Sequence, residues 1–76
     1  VEQASQTGEG SLGITVNGEP RRVPTGSTIT TLLQDAKLLP RQVAVEVNKR
    51  LLRADRYDET LADGDSIEIV TFVGGG

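Results

Sequence analysis

Cysteine, histidine, methionine and tryptophan are all absent from this 76-residue chain, and phenylalanine and tyrosine occur once each. Without cysteine there is no disulfide framework and no thiolate nucleophile, and without histidine there is no imidazole ligand or general base. No glycine-rich phosphate cradle ending in lysine is present either. The expectation is a chain with no catalytic residue of its own, no metal site and no bound cofactor. Positive charge is also scarce: eight basic residues against eleven acidic ones give a formal net charge of -3. A backbone-binding basic patch and a stacking surface are both missing, so nucleic acid is a poor partner. No apolar run approaches the roughly 18 residues that cross a bilayer, and the N-terminus lacks the basic and apolar regions of a signal peptide. This predicts a cytoplasmic protein without a membrane partner, monomeric on its own. At this length one domain is expected, able to bury only about 60% of the unfolded chain's surface.

What is present falls into three parts. Residues 1–10 (VEQASQTGEG) carry no aromatic and too little apolar surface to offset the entropy of ordering, and read as a flexible polar extension. Residues 11–73 read as the folded domain, and 74–76 as a glycine tail. In the domain, Leu12, Ile14 and Val16 alternate ahead of Asn17-Gly18, a hairpin signal in which Asn and Gly serve the turn and nothing more. Ile29, Leu32, Leu33 and Ala36 follow at helical spacing, with Ser27 as the cap, Lys37 near the C-terminal dipole and Pro40 as the stop. Alternation resumes at Val43, Val45 and Val47, Asn48-Lys49 offers a turn, and Leu51-Leu52 forms a short partner strand. Asp55, Asp58, Glu59, Asp63 and Asp65 lack the register of a calcium loop and are read as turn and solvation residues.

A final strand covers residues 67–73. An amphipathic helix between strands must bury its stripe on a sheet, which gives an α+β domain of two layers with the first and last strands side by side, as in a β-grasp. On the last strand Ile67, Ile69 and Thr71 point one way, and Glu68, Val70 and Phe72 the other. If the isoleucines face the helix, Val70 and Phe72 lie on the outer surface near the tail, a docking patch that Val73 continues.

Gly74, Gly75 and Gly76 have no Cβ to clash with a narrow tunnel and reach backbone conformations closed to other residues. The carboxylate of Gly76, with a reference pKa of about 3.3–3.7, is ionised at neutral pH and a poor electrophile. It needs activation by another protein, for which adenylyl transfer from ATP supplies a leaving group.

VNGEP at 16–20, GSTITTLL at 26–33, VAVEVN at 43–48, YDETLADGD at 57–65 and IEIVTFVGGG at 67–76 together resemble the ThiS family, the sulfur carriers of thiamine biosynthesis. The resemblance covers residues 12–76. It implies a ubiquitin-like β-grasp, a mixed sheet of four to five strands packed on one helix. It further implies that Gly76 is adenylated by a ThiF-like, ATP-using enzyme and converted to a thiocarboxylate with sulfur from a persulfide donor. The charged carrier would pass that sulfur to a ThiG-like thiazole synthase, with Gly74 and Gly75 threading the tail. A chain continuing past Gly76 would first need cleavage there. The alternatives are a MoaD-like carrier for molybdopterin, disfavoured by the proline-free Thr71-Phe72-Val73 approach to the tail, a ubiquitin-like modifier, and a plain interaction module with an inert tail.

Overall fold

The computed structural model describes residues 10–72, and every structural statement below concerns those residues. Strand β1 (Ser11–Val16) and strand β2 (Glu19–Pro24) form an antiparallel hairpin in register from Ser11 opposite Pro24 to Val16 opposite Glu19. Asn17 and Gly18 join them at φ 51° and 85°, the paired positive values that a two-residue turn matched to strand twist requires. Ile14, Val16 and Val23 face inward and are buried.

Helix α1 (Ile29–Asp35) is two turns long and buries Ile29, Leu32 and Leu33. Its ends differ from the sequence expectation. The cap is Thr28: its hydroxyl accepts from the Thr31 amide at 3.1 Å, and the Thr31 hydroxyl accepts from the Thr28 amide at 2.9 Å. This reciprocal pair satisfies two of the helix's orphan N–H groups. Ser27 is unavailable for capping because its buried hydroxyl donates to the Pro24 carbonyl at 2.6 Å, closing the turn after β2.

At the other end Ala36 is the C-cap and exposed, not a fourth core position. Leu38 N–H donates to Leu33 O at 2.9 Å and Lys37 N–H to Gln34 O at 3.0 Å. These are the two bonds of a Schellman motif, and they put Lys37 in the left-handed region at φ 61°. Lys37 therefore turns the chain instead of lining the last turn. The helix ends before Pro40, which starts a short 3₁₀ turn, Pro40–Gln42.

Strands β3 (Val43–Val47) and β4 (Arg50–Leu52) pair antiparallel around Asn48 and Lys49, at φ 54° and 71°. A second 3₁₀ turn, Ala54–Arg56, leads to Tyr57, the one aromatic in the core. Strand β5 (Ser66–Thr71) enters the middle of the sheet, whose order is β2-β1-β5-β3-β4. It runs parallel to β1 and antiparallel to β3. The result is the expected α+β grasp, with all five strands present and one helix across the inner face.

Ile29, Leu33, Val45 and Ile67 are fully buried where helix meets sheet. In so small a core, truncating one of them to alanine costs about 2–5 kcal/mol. The loop between β4 and β5 is sewn to the start of the helix by Thr30 N–H to Tyr57 O at 3.1 Å and Leu61 N–H to Ser27 O at 2.8 Å. Its acids work as local acceptors. Asp58 takes the Thr30 hydroxyl at 2.6 Å, Asp63 the Gly13 amide at 2.7 Å and Asp65 the Ala62 amide at 2.9 Å. No helix among the described residues is long and apolar enough to cross a membrane.

Candidate docking face and the approach to the glycine tail

Alternation along β5 sorts its side chains as expected. Ile67 is fully buried and Ile69 half-buried, while Thr71, on the same face, is already exposed. On the opposite face Val70 and Phe72 are 60% and 63% exposed. Val70 lies on the outer surface of the central strand and Phe72 directly follows its end. The Phe72 amide still donates to Gln42 O at 2.7 Å, so the backbone carrying the ring is held by the sheet's main-chain bonding. Val73, Gly74, Gly75 and Gly76 lie outside the described residues.

Cross-strand register extends this face beyond what the sequence suggested. Ala44 on β3 sits opposite Val70, and Glu46 sits opposite both Glu68 on β5 and Leu51 on β4. Residues directly opposite share a face, their Cβ atoms about 4.5–5.5 Å apart. Leu51, read from sequence only as half of an apolar pair, is 69% exposed here, whereas Leu52 packs against the core. Among the described residues, the large exposed apolar residues Leu51, Val70 and Phe72 thus line one surface. Period-two alternation across 50–52 could have flagged Leu51.

Two asparagines hold β5 in place, and the reading of Asn17 as turn chemistry alone is corrected. Its carboxamide accepts from the Ile69 amide at 2.8 Å and donates to the Ile69 carbonyl at 3.3 Å. β1 has ended by then, and the side chain stands in for its next residue. From the other flank Asn48 accepts from the Ser66 amide at 2.9 Å and donates to the Asp65 carboxylate at 3.0 Å. The helpful signal was positional: an Asn in a left-handed turn at the end of a strand has its short amide beside the neighbouring ladder.

Elsewhere the electrostatics are local. Arg56 donates to Glu59 at 2.8 Å, and that hydrogen bond, with the guanidinium charge, lowers the Glu59 pKa. Burial pushes the Tyr57 phenol above the ordinary tyrosine value. A hollow of about 370 Å³ lined by Gly13, Ile14, Thr15, Pro20, Arg21, Arg22 and Gly64 holds no nucleophile-and-base pair.

A five-stranded mixed sheet with a parallel central pair, wrapped on one helix and ending its middle strand at an exposed aromatic, defines a ubiquitin-like β-grasp protein. The ThiS family model matches residues 14–76. The sulfur carrier protein ThiS of Bacillus subtilis is 50% identical over 50 residues, 64% of this chain and 76% of that protein. The chain belongs to the ThiS family. A crystal structure of the thiamine biosynthesis protein ThiS from Geobacter metallireducens superposes with a TM-score of 0.64 at 36% identity, covering 86% of this chain and 100% of that one. A thiazole synthase of Magnetococcus marinus is 41% identical over 66 residues, 86% of this chain. This chain spans only 20% of that synthase's length.

Proposed function

We propose that this chain carries sulfur for the thiazole ring of thiamine on the carboxyl group of Gly76. The observation that carries the reading is that the family match runs through the last strand and the glycines to residue 76. In this scheme a ThiF-like enzyme in the cytoplasm transfers the adenylyl group of ATP to the Gly76 carboxylate, releasing pyrophosphate. The terminal sulfur of a persulfide donor displaces AMP to give an acyl disulfide, a thiol cleaves its S–S bond and is itself oxidised to a disulfide, and the freed thiocarboxylate passes to a ThiG-like synthase. The similarity to a segment of a protein named thiazole synthase supports that choice of acceptor. Gly74 and Gly75 thread the tail into the partners' active sites, and Val70, Phe72 and Val73 dock the domain outside them. The chain itself acts as a co-substrate and supplies no catalytic side chain.

Intact-mass measurement after incubation with ATP, a ThiF-type enzyme and a persulfide donor tests this. The expected product is heavier by the difference between one sulfur and one oxygen atom. A much heavier, lysine-linked species would instead make it a protein modifier, and an unchanged mass beside an enzyme that charges its own carrier would overturn the proposal. Deleting Gly76 should abolish charging, because the new end falls one residue, at most about 3.3–3.6 Å, short of the reaction centre.

A further inference from the structure

We propose that the outer face of β3, β4 and β5 receives a basic protein surface, with an arginine or lysine of the partner seated between the carboxylates of Glu46 and Glu68. The inference rests on the docking role proposed above and names the chemistry of what docks. Glu46 and Glu68 are directly opposed in the antiparallel ladder between β3 and β5, and both are exposed. Like charges in that position destabilise a sheet. Within the described residues neither carboxylate makes a side-chain hydrogen bond or ion pair.

The loop acids behave differently. Asp58, Asp63 and Asp65 accept hydrogen bonds, while Asp55 and Glu59 pair with Arg53 and Arg56. A face built only for solvation would gain by alternating charge sign across its strands. This one doubles the acid and borders it with Leu51, Val70 and Phe72, all more than half exposed. An aliphatic or aromatic partner surface covering those three would exclude water from around the two carboxylates. Burying a paired negative charge without a cation is costly, so the partner must bring one. Arginine suits the site best, since its planar fork can donate to two carboxylates at once.

The experiment uses the full chain with a purified ThiF-type adenylating enzyme as the probe, comparing wild type, E46Q/E68Q and the distant control E19Q. Charging is followed by intact mass at increasing sodium chloride, and the melting temperature of each variant is recorded. The double variant should raise the KM for the carrier about tenfold with kcat unchanged, lose most of the wild type's salt dependence, and melt no lower than wild type. E19Q should behave as wild type. If wild type is charged and E46Q/E68Q keeps its KM and salt dependence, the acidic pair takes no part in docking and the inference is overturned while the carrier reading stands. If wild type is not charged at all, the carrier reading fails and this partner falls with it.

Discussion

The side chain of Asn17 hydrogen-bonds both main-chain groups of Ile69, amide to Oδ1 at 2.8 Å and Nδ2 to carbonyl at 3.3 Å, where β1 has no further residue to offer. The substitution Asn17→Gly keeps the left-handed backbone accessible while deleting both bonds. It should cost about 1–2 kcal/mol in urea denaturation. Hydrogen exchange should show the Ile69 amide losing protection more than the amides of β3. Unchanged protection would mean the carboxamide adds nothing to the hold on β5.

Lys37 sits at φ 61° in the turn that ends the helix, a conformation that glycine enters without a Cβ penalty. Lys37→Gly should therefore stabilise the domain by about 1 kcal/mol, despite the greater freedom it gives the unfolded chain. Thermal and chemical denaturation check this together. A loss of stability would show that the lysine stem packs usefully on the end of the helix.

Removing the Phe72 ring should separate docking from folding. With the side chain 63% exposed, Phe72→Ala should change stability by less than about 0.5 kcal/mol. The KM for charging by a ThiF-type enzyme should rise at least about tenfold if the aromatic is an interface anchor. A variant that melts much earlier would instead place the ring in the core.

Alkaline unfolding should report on Tyr57. Burial raises its folded-state pKa, so the folded chain holds the phenolic proton more tightly than the unfolded chain does. The associated stability is complete below the unfolded value of about 10 and is lost as pH climbs through the higher folded value. Denaturation midpoints measured from pH 8 to pH 11 should fall more steeply for wild type than for Tyr57→Phe. Parallel curves would locate the alkaline sensitivity in other groups.

Much of the fold was legible because its signals were local. Alternation through Leu12, Ile14 and Val16, the Asn17-Gly18 turn, the stripe of Ile29, Leu32 and Leu33, and the valines of β3 each specify an element and the face it buries. The outward set of Val70 and Phe72 followed from the same period of two. What escaped depended on long-range neighbours. Ser27 and Thr28 are equivalent as caps by residue type, and only the proximity of the Pro24 carbonyl takes Ser27 out of contention. Asn17 and Ile69 are 52 positions apart, and Glu46 and Glu68 meet through strand register, so neither pair is visible until the sheet is assembled. The glycines that carry the proposed chemistry were conspicuous in the sequence, and the family match extends through them.

The placement of β5 has a mechanical consequence. It is the last strand in the chain yet lies at the centre of the sheet, flanked by β1 and β3. A load applied at Phe72 would be shared between two ladders and two asparagine clamps. Detaching the strand means sliding it against both neighbours at once, whereas an edge strand could be peeled away one bond at a time. The domain is thus built to keep its last strand when loaded at that end, which is what the proposed carrier role would ask of it.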